Sequence, residues 1–249
     1  METLFALGFS ALGAVLGSFA GVIAERMHTG QTWLSGRSRC TACARTLTAP
    51  DLIPIVSWLR AFGRCSVCHA RYPSTYLALE CLTAALFLAA YAHLGITYAL
   101  VPLLLFLFLL VITVLYDLRH LIVPHALSTL LICTALAYAA YTAPDMHAFG
   151  ITLAESGGIA LILFLFYALS GGRVMGLGDA PVALALSLVA ARAAIAGLVF
   201  SFWIGAVIGI ALLLLGRGRT KMNSEVPFVP FLAAGFLLAL FTGWSPLPF

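Results

Sequence analysis

Eight apolar stretches separated by polar segments constrain this chain more than any other feature of its sequence. A helix needs roughly 20 mostly apolar residues to cross a bilayer, and about 17 is a working minimum. Because 63% of the residues are hydrophobic and only 9% are charged, we predict an all-α polytopic membrane protein with about eight transmembrane helices. The stretches are residues 2–24, 75–93, 97–116, 121–141, 150–169, 180–192, 194–215 and 227–244.

Two of these stretches are unusual, one in its length and the other in the residues that flank it. Residues 180–192 are short for a span, so we expect this helix to be tilted or only partly inserted. The first stretch follows Met1-Glu2 without a basic segment, and no Ala-x-Ala site comes after it. We therefore expect it to be a retained helix and not a cleaved signal peptide.

The basic residues predict the orientation of the spans. An alternating eight-span arrangement puts only Arg192 on one side and the other twelve Lys and Arg residues on the opposite side. Basic loops remain in the cytoplasm, so both termini are predicted to face outward. The net charge of +4 then reflects topology and contact with anionic lipids, and no nucleic-acid-binding motif is present. The twelve are Arg26, Arg37, Arg39, Arg45, Arg60, Arg64, Arg71, Arg119, Arg173, Arg217, Arg219 and Lys221.

The polar segment at 25–74 is too long for a connector inside a compact helical bundle. We predict that it forms a small cytoplasmic domain. The predicted organisation is a first transmembrane helix at 1–24, this domain at 25–74, and a transmembrane bundle at 75–249.

Four cysteines in that polar segment form two Cys-x-x-Cys pairs with 21 residues between them. This spacing is typical of a zinc site, and four thiolates complete a tetrahedral site without an open position for water. Thiols stay reduced in the cytoplasm, so disulfides are not expected. We predict a structural zinc site, and free cysteines are the alternative. The ligands would be Cys40, Cys43, Cys65 and Cys68.

Two aspartates at the ends of apolar stretches carry the strongest chemical signal. Asp117 ends one span, and Asp179 in Gly176-Leu177-Gly178-Asp179 begins another. Taken singly, Asp117 is also compatible with an ion pair to Arg119 or His120, and Asp179 with a helix N-cap. Both acids fall at the same predicted membrane edge, however. Two carboxyl groups that share a proton can activate water against a peptide bond, which indicates an intramembrane aspartic protease. Gly176 and Gly178 would let a substrate backbone approach closely.

Six sequence stretches occur in a characteristic order along nearly the whole chain. They are Gly17-Ser18-Phe19, the two cysteine pairs, Asp51-Leu52-Ile53-Pro54 with Ser57-Trp58, Arg71-Tyr72-Pro73 leading to Glu80, Asp117 with Gly176-Leu177-Gly178-Asp179, and Pro227-Phe228-Val229-Pro230. This ordered set resembles the prepilin peptidase family. The chain departs from the family pattern at Gly21 and Leu52, where asparagines are usual, at Pro181 in place of lysine, and at Val229 in place of glycine.

The resemblance implies a bifunctional enzyme of the bacterial inner membrane. It implies cleavage, at the cytoplasmic face, of the short basic leader of type IV prepilins and type II secretion pseudopilins. The cut falls after a glycine and usually before a phenylalanine. It also implies methylation of the new N-terminus from S-adenosylmethionine. Asp117 and Asp179 would then be catalytic, and the four cysteines would bind zinc.

The basic leader also needs a binding surface. Residues 25–80 hold seven arginines and only three acids, so the arginines as a group would repel it. We expect the leader to use the acids, and the arginines to face anionic lipid. Glu25, Asp51 and Glu80 are therefore predicted to bind substrate or to shape the site.

Other functions remain open on the sequence alone. A proton-coupled transporter would place its acids near the bilayer midplane and not at one edge. A methyltransferase or scaffold with unused acids, and a peptidase without methyltransferase activity, are further alternatives. Other Gly-x-Gly-Asp proteases, such as preflagellin or presenilin-like peptidases, differ from this chain in lacking the cysteine loop.

Overall fold

A computed structural model describes residues 1–30, 36–40, 42–173, 175–215 and 226–244. Over these residues the protein is helical, and the only β-pairing is two isolated bridges, Arg39 with Thr46 and Arg64 with Arg71. The all-α prediction is confirmed. The helices are α1 Glu2–Thr29, α2 Val56–Arg60, α3 Ser74–Leu94, α4 Leu100–His120, α5 His125–Thr142, α6 Met146–Ser170, α7 Asp179–Ala190, α8 Ala194–Leu215 and α9 Val229–Thr242.

A helix lies at each of the eight predicted apolar stretches. Among the described residues, six runs qualify as membrane spans by length and composition, with α7 and α8 counted as one run of 37 residues, and α9 is a shorter apolar helix. The predicted boundaries differ from the observed ones by up to five residues, and α6 begins four residues earlier than expected. Asp145 caps this helix by accepting a hydrogen bond from the Ala148 N–H at 2.7 Å, and such caps set where a helix starts.

The basic loops support no further topological conclusion here. Arg217, Arg219 and Lys221 lie outside the described residues, as does the rest of 216–225. The orientation of the spans stays a prediction from charge.

Contacts divide the chain into two compact units, Met1–Gly95 and Ile96–Phe249. The predicted domain limits at residues 24 and 74 separate segments of different function, and they stay a prediction. In the first unit α1 packs along α3. Glycine is needed at this contact, because a Cβ at Gly13 would lie 2.6 Å from the carbonyl oxygen of Thr83. Small residues allow this close approach of membrane helices.

In the second unit the short helix α7 packs against α5, α6, α8 and α9. Ten of its 12 residues are buried, and it is about 18 Å long at 1.5 Å per residue. Its neighbours, and not lipid, therefore surround most of its surface. The expectation that this short helix is tilted, partly inserted or surrounded by a thinned bilayer stays a prediction, because packing against other helices is compatible with each of these arrangements.

Candidate active site and metal centre

Asp117 lies in the last turn of α4, and only 5% of its surface is exposed. The helix ends three residues later at His120, and the next residue, Leu121, adopts a left-handed conformation with a φ of 56°. The Leu121 N–H donates to the Asp117 carbonyl at 2.8 Å. The apolar face of α4 thus carries the carboxyl group into the interior of the second unit.

Asp179 is the first residue of α7 and is equally buried, with 5% of its surface exposed. The N–H of Gly176 donates to its Oδ2 at 2.9 Å, and the N–H of Asp179 donates to the Gly176 carbonyl at 3.2 Å. The Gly176-Leu177-Gly178 turn therefore closes on this carboxyl group and fixes one of its oxygens.

The turn after α4 packs against the turn before α7 and so brings the two aspartates together. A Cβ added to Gly178 would lie 2.8 Å from the Cβ of Val123. The two carboxyl groups interact electrostatically. The backbone N–H of Val229, in the first turn of α9, hydrogen-bonds to the carboxyl group of Asp117.

One oxygen of the pair lacks a protein partner. The Asp117 Oδ2 atom is buried and accepts no hydrogen bond from any described residue. A buried polar atom without a hydrogen bond lowers the free energy of unfolding by about 1–3 kcal/mol. We therefore expect this oxygen to have a partner. A water between the two carboxyl groups, or a proton shared by them, would satisfy this oxygen.

We expect Gly178→Ala to lower the rate of leader cleavage by at least about tenfold. The new methyl group would force apart the two turns that carry the aspartates. Misplacement of catalytic groups by about 1 Å can lower a rate on the order of 100-fold. The measurement is kcat for leader cleavage. Gly150→Ala is the matched control, because nothing lies within 4 Å of a Cβ there. Full activity of Gly178→Ala would contradict the packing role, and Val123→Gly in the same chain is expected to restore part of the loss.

The four cysteines of the first unit converge on one point. Their sulfur atoms all lie within 4.8 Å of one another, and the Sγ atoms of Cys40 and Cys68 are 3.8 Å apart. Tetrahedral zinc with Zn–S bonds of about 2.3 Å requires S–S separations of about 3.8 Å. The donor set and its spacing therefore fit structural zinc, which Cys40, Cys43, Cys65 and Cys68 would hold.

The residue that follows each Cys-x-x-Cys pair has the same backbone conformation in both pairs. Ala44 and His69 follow the second cysteine of each pair and have positive φ values of 57° and 56°. Their N–H groups donate to the carbonyls of Cys40 and Cys65 at 2.9 and 3.0 Å. His69 thus occupies a turn position equivalent to an alanine, and this accounts for it without metal binding.

Neighbouring groups lower the pKa of Cys40 and Cys65 and so favour thiolates there, whereas burial and hydrogen bonds with the other cysteines raise the pKa of Cys68 to about 11. Backbone N–H groups of Cys68 and Val67 lower the pKa of Cys65 to about 5, and the Tyr72 hydroxyl adds to the effect. Arg45 also interacts with Cys65. These contacts orient and stabilise a metal-binding sulfur, as surrounding hydrogen bonds commonly do at metal sites.

Comparisons with known proteins identify the family of this chain. Residues 11–94 match the model of the Bacterial Peptidase A24 N-terminal domain. A protein of Bacillus subtilis named prepilin leader peptidase/N-methyltransferase is 34% identical over 239 residues, which cover 95% of this chain and 94% of the relative. The chain belongs to the prepilin leader peptidase/N-methyltransferase family. Together with its apolar helices, this makes it a multi-pass bacterial membrane protein.

Two further relatives carry the same name. The protein of Myxococcus xanthus is 34% identical, with 89% of this chain and 67% of the relative covered. The protein of Legionella pneumophila is 32% identical, with 84% and 73% covered. No solved structure matches the chain.

The three other acids singled out in this prepilin peptidase chain all line one groove of the first unit. Glu80 is buried and accepts the Ile55 N–H at 2.7 Å, where Ile55 has a positive φ of 63°. Asp51 accepts from Arg45 at 2.9 Å, and hydrogen bonds from Thr48 are the main reason that the pKa of Asp51 is lowered. Both carboxylates therefore hold the fold of the loop.

Sequence reasoning missed the parts played by Val123 and Val229. Neither is polar, and Val229 contributes only its backbone N–H. One signal was available, because Pro230 in Pro227-Phe228-Val229-Pro230 is typical of a helix start and helix N-termini attract carboxylates. That pattern gives the helix start but not which acid lies beside it.

Proposed function

We propose that this chain is a prepilin peptidase that uses Asp117 and Asp179 to cleave the basic leader of type IV prepilins and type II secretion pseudopilins, and that it methylates the new N-terminus. The observation that carries the proposal is the buried, interacting pair of carboxyl groups at the end of α4 and the start of α7. Membership of the family names the substrate class.

The chemistry follows from two carboxyl groups within mutual reach. One is ionised and takes a proton from a water molecule, and the other is protonated and polarises the scissile carbonyl. The water attacks, the tetrahedral intermediate collapses, and the leaving amine takes up a proton from the pair. Because the two groups interact, they titrate as a pair. The glycines before Asp179 leave room for the substrate backbone.

Zinc in this proposal is structural. The four cysteines would supply all ligands of a tetrahedral ion, which leaves no position for a reacting water. The metal ties together the two Cys-x-x-Cys turns, and Glu80 and Asp51 hold the intervening chain to which Ile55 belongs. Glu25, Asp51 and Glu80 are accordingly proposed to shape the site of the first unit.

We further propose that both sites face the cytoplasm from the inner membrane. The support is the distribution of basic residues, since loops rich in Lys and Arg stay on that side. Prepilins and pseudopilins are the proposed protein partners and anionic lipids the proposed surroundings, with no role for nucleic acid.

The test uses the purified full-length protein in liposomes with a prepilin-type substrate. Mass spectrometry is expected to show loss of the leader without any added methyl donor, and methylation of the new N-terminus when S-adenosylmethionine is added. Cleavage without methylation would restrict the function to the peptidase. Absence of cleavage on several prepilins and pseudopilins would refute the proposed function.

A further inference from the structure

Residues 52–62, in the chain between α1 and α3, carry large apolar side chains that the loop does not bury. On α2 the exposed residues Val56 and Leu59 lie three apart and share one face of the helix, whereas Ser57 and Trp58 are half-buried. A group of exposed apolar side chains of this size marks a contact with a protein or a membrane. Those that are at least 49% exposed are Leu52, Ile53, Val56, Leu59 and Phe62.

The backbone holds the Phe62 ring in its exposed position. Phe62 is 85% exposed and has a positive φ of 49°, which bulky residues rarely adopt. Gly63 also has a positive φ, its carbonyl accepts the Tyr72 N–H at 2.7 Å, and the Trp58 ring packs against it. The turn after α2 is therefore fixed. A strained position that keeps an apolar ring outside the loop favours a partner for that ring.

The contact between α2 and α3 sets the level of this segment. Ile55 precedes α2 and donates its N–H to Glu80 at 2.7 Å. Glu80 is the seventh residue of α3, about 9 Å along the helix from Ser74 at 1.5 Å per residue. Its neighbour Leu79 lies against Gly21 of α1, and both helices qualify as membrane spans. The segment therefore returns to a level at which α1 and α3 are apolar.

Two arginines beside the apolar side chains suit lipid phosphates. Arg60 and Arg64 are exposed, and neither guanidinium group has a hydrogen-bond or ion-pair partner among the described residues. With Ser57 and Ser66 they line a cavity of about 630 Å³. The acid in its lining, Asp51, is already in an ion pair. Guanidinium groups bind phosphate oxygens strongly and in a defined geometry, so the free charges favour an anionic headgroup.

We propose that the 52–62 segment lies in the lipid–water interface and binds anionic phospholipid. The side chains of Val56, Leu59 and Phe62 enter the boundary of the acyl chains, and Arg60 and Arg64 bind the phosphate of a headgroup. Apolar side chains next to basic ones are typical of segments that lie in this interface. This placement goes beyond the peptidase reaction and does not depend on it.

A peptide is the competing occupant of this surface. The basic leader of a prepilin would meet two unpaired guanidinium groups, Arg60 and Arg64, so the charges oppose it. A bilayer surrounds α1 and α3 at all times, and both ends of the loop are joined to these helices. This tether gives lipid a high effective concentration at the segment, which favours lipid as the occupant.

Photo-crosslinking of the full-length protein in liposomes tests the proposal. The liposomes contain equal amounts of phosphatidylglycerol and phosphatidylcholine, and mass spectrometry identifies the lipid adducts. Phe62→p-benzoylphenylalanine replaces one exposed ring by a similar one. The same change at Phe166, an exposed residue of the candidate span α6, is the lipid-facing control. Both positions are expected to give lipid adducts, and those at position 62 should favour phosphatidylglycerol at least about fivefold.

The arginines are tested in the protein that carries the probe at position 62. Arg60→Ala combined with Arg64→Ala is expected to lower the preference for phosphatidylglycerol to less than about twofold. Arg37→Ala is the control, because Arg37 is an exposed arginine of the same loop that does not line the cavity. All three arginines are exposed, so the loop should stay folded, and thermal unfolding is recorded for each variant.

The outcomes decide between lipid and peptide. Lipid adducts at position 62, with a preference that only the double arginine variant loses, support the proposal. Lipid adducts at position 166 without any at position 62 overturn it, and so does a preference that the double variant retains. A prepilin-type peptide is added in a separate sample. Adducts to that peptide in place of lipid would assign the surface to the substrate and also overturn the proposal.

Discussion

Asp117→Asn and Asp179→Asn are each expected to lower the rate of prepilin cleavage by about 10³–10⁴-fold. Each change removes the proton-transfer capacity of one member of the pair, and positioned acid–base groups contribute about 10²–10⁴-fold. Asparagine has nearly the same shape as aspartate, so the packing of α4 and α7 should remain. Its amide oxygen at position 179 can still accept the Gly176 N–H, which holds Asp179 at 2.9 Å.

The measurement is kcat and KM for leader cleavage, with thermal unfolding recorded for each variant. Asp145→Asn is the matched control, because Asp145 is an exposed N-cap of α6 and asparagine caps helices as well as aspartate does. The loss should fall mainly on kcat. The double variant should be little worse than either single one, because residues that act as a unit are not additive. If either single variant keeps more than about a tenth of the activity, the two aspartates do not form the proposed pair.

Much of the helical framework could be predicted because it depends on local composition. A run of apolar residues must form a helix in lipid, whatever its partners. The convergence of the four cysteines could also be predicted, since two residues between cysteines place both thiols on one turn. The structure adds the equivalent left-handed positions of Ala44 and His69, which no cysteine spacing specifies.

The rest depends on contacts between distant parts of the chain. Nothing in the sequence of α7 says that other helices enclose it, because an alanine-rich apolar run suits lipid and protein equally. The backbone contact from Val229 to Asp117 joins residues far apart in sequence. Glu80 looked like a candidate substrate ligand, yet the structure gives it the Ile55 N–H as a partner. A side chain's partner across such a distance cannot be read from its own segment.

The loop between α1 and α3 also contains internal backbone pairing that an unstructured connection between two helices would lack. The bridge between Arg39 and Thr46 and the bridge between Arg64 and Arg71 each close one cysteine turn. Two hydrogen-bonded turns and a short helix bury little apolar surface, and segments of this size rarely fold without a metal or a cross-link. We therefore expect the stability of the loop to depend on the ion that the four sulfur atoms would hold.

Cys65→Ser is accordingly expected to abolish stoichiometric zinc binding and to unfold the loop between α1 and α3. Structural zinc sites in peptides contribute about 10–16 kcal/mol of apparent folding free energy at neutral pH, far more than the few hydrogen bonds of the loop. Cys65 is only 1% exposed, and its sulfur interacts with Arg45 and Tyr72. The measurements are zinc per chain and the rate of limited proteolysis within the loop.

Cys133→Ser is the control, because Cys133 is an exposed cysteine of α5 outside the cluster and its loss should leave zinc content and proteolysis unchanged. Chelation of zinc from the wild type should reproduce the proteolysis of Cys65→Ser, and added zinc should reverse it in the wild type only. A wild-type protein that contains no zinc, or a Cys65→Ser variant that resists proteolysis as well as the wild type, would show that the loop does not depend on the metal. Reversal by zinc in the wild type alone would instead attribute the stability of the loop to the four sulfur atoms, because every other contact of the loop is present in both proteins.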